Sequence, residues 1–456
     1  MDFQKKNVLV FGTGKSGVAA AELLQKKGAS LLIFDGNEKL SEEEVRTRSE
    51  AFSEAKLIFG TLNEKDIRDL DLAVLSPGVS PEKPEVQLLK RSRIPFIGEI
   101  ELAYLCGAGR LAAITGTNGK TTTTALTGEL LASHYEDTRV VGNIGIPYTQ
   151  EAYTMTDETV TVAEISSYQL ETTDRFHPEV SAILNFTPDH LDRHHTMENY
   201  IAAKERITER QTAGDTVVLN YEDPVLREFG KTLKPKVVWF SSEQKLNDGL
   251  FYRKGVIFTA SHGKEDPLIE VSALQILGKH NYENAMAAAA IALCMGVPRE
   301  KVVKGLSAFK AVEHRIEFVT EIDGVRYYND SKGTNPDASI KAVEAMDRQT
   351  VLIGGGYDKS ATYEEWIRTF PGKVKKLVLL GQTADKIAAA CEACGFTAYE
   401  KVETLADAVN LAAECATSGE AVLLSPACAS WGMFANFEER GKQFKELVMG
   451  LQKSNG

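Results

Sequence analysis

Six cysteines in 456 residues are too few for a disulfide scaffold, and 14 prolines beside 36 glycines carry no disordered or fibrous signature. Long apolar runs are missing too. The longest, Ala285 to Val297, is 13 residues and Ala-rich, short of the roughly 20 that a membrane span needs, and it reads as a buried helix. Positive charge is in deficit: 52 Lys and Arg face 64 Asp and Glu, a net charge of -12 with a pI near 5.4. No electrostatic footprint for nucleic acid or an anionic membrane exists, so any anionic ligand must be gripped locally. The opening MDFQKKNVLVF enters a strand without an export-type apolar segment, which predicts a cytoplasmic protein. One cysteine pair has CxxC spacing, Cys391 and Cys394, at the end of the helical stretch ADKIAAACEAC. A redox pair wants a helix N-terminus and a zinc site a second ligand pair, so these read as ordinary helix cysteines.

What is present is average globular material, 43% hydrophobic and 25% charged, with a mean hydropathy of -0.20. At roughly 150 residues per domain this length predicts three domains. Strand, Gly-rich turn and helix alternate throughout, the rhythm of α/β units on parallel sheets. The content divides into residues 1–98, a Rossmann-like block; 99–310, a P-loop-type parallel sheet with a small β-ribbon near GLFYRKGVIFTA; and 311–456, a second Rossmann-like block.

Each block carries motifs after its strands. GTGKSG, with Gly12, Gly14 and Gly17, follows VLVF, and Asp35 closes the next strand. Such a turn suits a nicotinamide or flavin cofactor, another nucleotide, or close packing alone. The block stops after about five strands, however, and with Ser76, Pro77 and Gly78 on a second loop a nucleoside diphosphate fits better than a full dinucleotide. LAAIT is followed by Gly116, Thr117, Asn118, Gly119, Lys120 and Thr121, then a helix. This is a shortened phosphate loop, Ile114 standing where the longer form has Gly; backbone N–H groups and Lys120 hold phosphates and Thr121 ligates Mg²⁺.

Glu164 ends the strand VTVAE, where a P-loop protein needs an acid for its metal, although a cap or salt bridge also fits. TPDHLDRH offers Asp189, His190, Asp192, His194 and His195: a transition-metal cluster, a polar surface loop, or groups ordering water, Mg²⁺ and phosphate. Lys204 lies on an amphipathic helix, where a lone Lys reads as a solvated charge. His280, Asn281 and Asn284 either read an adenine edge or cap the Ala-rich helix. Glu313, His314 and Arg315 are a hinge or a linker cluster. In the last block Asp330, Ser331, Lys332, Thr334 and Asn335, then Lys359, then Ser425, Ser430 and Trp431 all follow strands, at the sheet edge where open α/β folds bind ligands.

Taken in order, GTNGKTT, EISSYQLE, TPDHLDRH with AAK, HNYENAMAA, EHRIE, NDSKGTNP and SPACASWGMFANFEERG resemble the bacterial Mur ligases over essentially the whole chain. GTGKSG, SPGVSP and the C-terminal run with Asn436 and Phe437 point to the branch that adds D-glutamate, and no DNPR-type motif is present. The resemblance implies an ATP-dependent ligase joining D-glutamate to UDP-N-acetylmuramoyl-L-alanine through an acyl phosphate, acting as a monomer. It implies that Gly14, Lys15, Ser16, Gly17, Asp35, Ser76, Pro77, Gly78, Asn143 and His190 bind the UDP substrate. Gly116 to Thr122, Asn281, Arg315 and Asp330 would bind ATP. Two Mg²⁺ ions would be served by Thr121, Glu164, His190 and Lys204, the last as a carbamate formed with CO₂. Lys120, Glu164, His190 and Lys204 would be catalytic, and Lys332, Thr334, Lys359, Ser430, Trp431 and Phe437 would frame D-glutamate. Gly333 stands where members often have Ala, and Trp431 where Leu is known. The rivals explain less. A folylpolyglutamate synthetase lacks the N-terminal block, an NAD-dependent oxidoreductase leaves GTNGKT unused, and a non-enzymatic nucleotide switch leaves the loops of the last block unused.

Overall fold

The computed structural model describes residues 2–276, 278–310, 313–359 and 361–454. Five strands open the chain: β1 (Asn7–Phe11), β2 (Ser30–Asp35), β3 (Lys56–Phe59), β4 (Leu72–Leu75) and β5 (Phe96–Gly98). They form an all-parallel sheet in the order β3-β2-β1-β4-β5. The apolar runs at its centre are buried on both faces, as parallel strands covered by helices require.

Nine strands follow: β6 (Arg110–Thr115), β7 (Thr138–Gly142), β8 (Val160–Glu164), β9 (Val180–Ile183), β10 (Thr216–Asn220), β11 (Lys236–Ser241), β12 (Gly249–Arg253), β13 (Val256–Ser261) and β14 (Lys264–Glu270). Their order is β14-β13-β12-β11-β10-β9-β6-β8-β7. Pairing is parallel from β7 to β12 and antiparallel through β13 and β14, the small ribbon foreseen near residue 250. Both strands absent from the sequence reading, β7 and β14, lie at sheet edges. An edge strand can be partly polar, and β14 even carries Pro267, which a central strand would not tolerate.

The last sheet contains β15 (Glu317–Ile322), β16 (Val325–Asn329), β17 (Thr350–Gly354), β18 (Val374–Leu379), β19 (Tyr399–Lys401) and β20 (Ala421–Leu424). Its order is β15-β16-β20-β17-β18-β19, parallel except for the β15–β16 hairpin. That hairpin turns at Asp323 and Gly324, with φ of 51° and 79°, the conformation an Asp-Gly pair favours. Again the strands the sequence did not announce, β15 and β19, are the edges.

The chain packs into two compact units, one of residues up to Val271 with Glu283–Ser307, the other of Ser272–Tyr282 with Ala308 onward. One apolar core runs through the first unit from Val8 and Val74 past Ile100 and Tyr148 to Ala113 and Leu219, so the first two sheets share an interior. The second unit has a core on each face of its sheet. The Ala-rich run is the buried helix expected, within Lys279–Cys294, with Ala285 to Ala292 almost wholly inaccessible. Cys391 lies in the helix Ala384–Ala393 and Cys394 caps its C-terminus, both as free thiols. No helix of the described residues is long and apolar enough to cross a membrane.

Candidate active site

The buried strand β6 ends at Thr115, and the helix Lys120–Ala132 starts four residues after Gly116. Gly119, its N-cap, has φ 86°, and a Cβ there would lie 2.2 Å from Asn284 Oδ1. Only glycine satisfies both the left-handed backbone and the close approach. The loop is held from outside: the Asn118 N–H donates to Asn185 Oδ1 (2.8 Å) and Asn185 Nδ2 to the Asn118 carbonyl (3.1 Å). Thr117 Oγ1 pairs with the Tyr200 hydroxyl at 2.9 Å and accepts the Thr187 N–H at 3.0 Å. Lys120 Nζ folds back onto the Gly116 and Thr117 carbonyls, both at 2.9 Å. The result is a helix N-terminus without a side-chain cap and with an adjacent ammonium, a geometry suited to phosphate.

The helix Met197–Glu205 overturns the reading of Lys204 as a solvated charge. Lys204 is only 2% exposed; its Nζ donates to the Gly116 carbonyl at 2.8 Å and lies 4.8 Å from the centre of the Tyr200 ring. Two ammonium groups, Lys120 and Lys204, therefore address one carbonyl oxygen. Burial first, and then the Lys120 charge, push the Lys204 amine well below the usual lysine value.

Glu164 ends β8 in register with Ile114 of β6. It is 2% exposed; Oε1 accepts from Asn143 Nδ2 at 3.0 Å, while Oε2 is buried with no hydrogen-bond partner among the described residues. An orphaned buried carboxylate oxygen costs free energy, and at the carboxyl edge of a P-loop sheet it fits a cation ligand. Among the described residues no three His, Cys, Asp or Glu side chains converge as a ready metal cluster, so a cation here would also draw on ligands of other types, such as the Thr121 hydroxyl and a modified Lys204.

The histidines after β9 have separate partners. His190, at φ 53° and half-exposed, pairs with the Tyr168 hydroxyl at 2.9 Å and stands 3.6 Å from Asp189. His194 is buried against Ser167 (2.9 Å) and Glu171 (3.4 Å), and burial lowers its pKa. His195 meets Glu82 at 3.2 Å on the surface.

In the first sheet, Gly17 packs so tightly that a Cβ would sit 1.9 Å from the Gly12 carbonyl. This leaves Gly14, the N-cap, and Lys15 exposed at the start of the helix Lys15–Lys26, with Ser16 in its first turn. Asp35 accepts from the Thr13 N–H (3.0 Å) and hydroxyl (2.8 Å). Ser76 Oγ is buried without a hydrogen-bond partner among the described residues, and Pro77 and Gly78 form a turn closed by the Val79 N–H on the Ser76 carbonyl at 2.9 Å. Lys15 Nζ donates to the Gly145 carbonyl, so the GTGKSG turn touches the same NIG loop whose Asn143 holds Glu164.

In the second unit, the neighbouring strands β16, β20 and β17 end in the three polar loops. Lys332 Nζ lies 5.4 Å from the Phe437 ring centre and Lys359 Nζ 5.2 Å from that of Trp431. The Thr334 N–H donates to the Lys332 carbonyl at 2.8 Å, and Ser430 is buried. Arg440, which the sequence reading did not single out, is buried and donates to the Ser331 hydroxyl (3.0 Å), the Ser331 carbonyl (2.7 Å) and the Cys428 carbonyl (3.2 Å). It ties two of the loops together; the only hint was its place in FEERG.

Asn281 is buried in the first turn of its helix. Its neighbour His280 is pushed down to about 3 by burial, with Arg315 and Lys341 adding repulsion, and Arg315 Nε is buried without a hydrogen-bond partner among the described residues. Asp330 is buried and accepts from the Ser425 hydroxyl at 2.7 Å; burial raises its pKa from 3.8 to about 7, against the Ser425 bond and the Arg315 charge. A carboxyl raised in the fold binds its proton there over a pH range in which the unfolded chain has released it. Stability therefore falls as pH rises from about 4 to about 7 and is flat above that. Between pH 5 and 8 the wild type should lose roughly 3 kcal/mol that Asp330→Asn retains, read as the difference between their denaturant midpoints.

A nucleotide-type phosphate loop backed by a buried acid and a buried lysine, on a chain that also offers a cationic sheet edge, marks the ATP-dependent ligase class. Three family models match in succession: the Mur ligase MurD-like N-terminal domain over residues 6–98, the Mur ligase middle domain over 114–292 and the Mur ligase glutamate ligase domain over 314–428. Two relatives named UDP-N-acetylmuramoylalanine--D-glutamate ligase, from Lachnoclostridium phytofermentans and Lachnospira eligens, are 52% and 51% identical over 99% of this chain and 100% of their own. Among solved structures, the UDP-N-acetylmuramate-alanine ligase MurC of Thermotoga maritima aligns over 98% of this chain and 99% of its own, with a TM-score of 0.61 at 20% identity. The MurF ligase of the same organism, solved with ADP, covers 100% of this chain and 97% of its own at 0.60 and 15%. These two show the shared three-domain fold. The chain belongs to the Mur ligase family.

Proposed function

We propose that this chain joins D-glutamate to UDP-N-acetylmuramoyl-L-alanine, converting ATP to ADP and phosphate, in the synthesis of peptidoglycan precursors. The observation that carries the reading is the end-to-end match, at 52% identity, to a ligase of that name. The geometry supports a division of labour in which 1–98 binds the UDP substrate, 99–310 binds ATP and metal, and 311–456 receives the amino acid.

In this reading Gly14, Lys15, Ser16, Gly17, Asp35, Ser76, Pro77, Gly78, Asn143 and His190 bind the UDP moiety and its sugar. Gly116 to Thr122 cradle the ATP phosphates; Asn281, Arg315 and Asp330 contact the nucleotide. Thr121, Glu164, His190 and Lys204 would hold two Mg²⁺ ions, which when bound neutralise charge on the phosphates. Lys204 fits this role as a carbamate. Its neutral amine adds to CO₂ and loses a proton, replacing a buried cation beside Lys120 with an anion.

Lys120 then stabilises charge building on the transferred phosphoryl group as the alanyl carboxylate becomes an acyl phosphate. The D-glutamate amine attacks the acyl carbon, the tetrahedral adduct collapses, phosphate leaves, and the amine proton passes to a base, His190 or a neighbour. Lys332, Thr334, Lys359, Ser430, Trp431 and Phe437 orient D-glutamate. The chain works as a cytoplasmic monomer.

The test is phosphate release from ATP. It should require both UDP-N-acetylmuramoyl-L-alanine and D-glutamate and be silent with L-glutamate. Release on folate with L-glutamate instead, or none with the full substrate set, would refute the assignment.

A further inference from the structure

Lys359 keeps its charge available in a loop that contains an acid next to it. Asp358 precedes it directly, yet the Asp358 carboxylate is taken by Lys386, whose Nζ lies 3.1 Å from Oδ1 and 3.0 Å from Oδ2. Lys386 projects from the first turn of the helix Ala384–Ala393, and the Asp358 N–H is anchored on Gln382 Oε1 at 3.3 Å just before it. Among the described residues Lys359 has no carboxylate partner. Its ammonium rests instead over Trp431, which is 54% exposed. Tyr357 braces that ring edge-on at 5.6 Å, and its own N–H is pinned to the Ala429 carbonyl at 2.9 Å. A π face orients an ammonium without occupying the three N–H donors that a carboxylate would compete for.

We infer that Lys386 is a positioning residue for the amino-acid substrate: by holding the Asp358 carboxylate it keeps Lys359 unpaired and ready for a substrate carboxylate. This rests on the proposed reading of Lys359 as a D-glutamate contact and adds the device that prevents the loop from neutralising itself. Lys386 touches neither Lys359 nor Trp431 in any described contact; it acts through Asp358.

The experiment measures KM and kcat for D-glutamate by phosphate release at saturating ATP and UDP substrate. Lys386→Ala removes this ion pair from the Asp358 carboxylate and lets it turn toward Lys359, so KM for D-glutamate should rise about fivefold, the order of an exposed ion pair, with kcat unchanged. Adding Asp358→Asn to Lys386→Ala removes the competing carboxylate and should return KM to the wild-type value, a rescue that a merely structural Lys386 would not show. An unchanged KM in Lys386→Ala, or a raised KM that Asp358→Asn does not restore, overturns the inference while leaving the function standing. A wild-type chain without D-glutamate-dependent release overturns both.

Discussion

Replacing Lys204 by Ala should reduce phosphate release by at least about 10²-fold, the scale of losing one electrostatic stabiliser in a water-poor site, and formate or acetate should restore part of it. The reasoning starts from burial. A lysine that is 2% exposed, sharing the Gly116 carbonyl with Lys120, has its amine driven toward the neutral form by desolvation and by the neighbouring charge. A neutral amine is the form that adds CO₂, and a carbamate formed there would relieve the repulsion. The Ala variant cannot make that anion, but it leaves room where a small carboxylate can sit. Wild-type enzyme stripped of CO₂ should lose activity and regain it with bicarbonate, whereas the variant should ignore bicarbonate. Wild-type turnover in Lys204→Ala would rule out the carbamate.

Glu164→Gln should separate stability from function. One Glu164 oxygen is buried without a hydrogen-bond partner among the described residues, and the other is satisfied by Asn143. Gln keeps an acceptor for Asn143 but sets an amide nitrogen where the orphaned oxygen was, so a buried polar atom stays unsatisfied either way and the ligand-free variant should unfold within about 1 kcal/mol of wild type. Thermal unfolding without nucleotide reads this as a melting temperature within a few degrees of wild type. Turnover should fall by about 10²–10³-fold, and the Mg²⁺-dependent stabilisation by ATP expected of wild type should shrink. A variant that keeps wild-type turnover would show that the acid is merely structural.

Both results bear on how much of the site could be read from the chain. The phosphate loop was legible because its requirements are local: an apolar strand, a glycine at positive φ and a Lys-Thr helix start. Glu164 was legible because an acid at the end of a buried strand breaks the apolar pattern. The Ala-rich helix and the alternation of strand and helix followed from composition and period alone. The edge strands β7, β14, β15 and β19 were not legible, since an edge needs only one partner and tolerates the polar residues that mask a strand pattern. Likewise Arg440 and Asn185, which hold loops in place, are ordinary polar residues until the loops they join are known.

By itself, then, the sequence determined the α/β class, the three sheets and the chemistry each loop could offer, because those follow from short-range periodicity and from backbone conformations that few residues adopt. Tertiary structure alone decided which charges are exposed. A helix carrying one lysine does not say which face is covered; only its packing against the Gly116 loop turns Lys204 from a solvated cation into a buried amine. In the same way, adjacent Asp358 and Lys359 look like a pair along the chain, and it is the tertiary contact of Lys386, 28 residues on, that engages the Asp358 carboxylate. The physical reason is common to both: burial and partner choice are set by contacts distant in sequence, which no local pattern encodes.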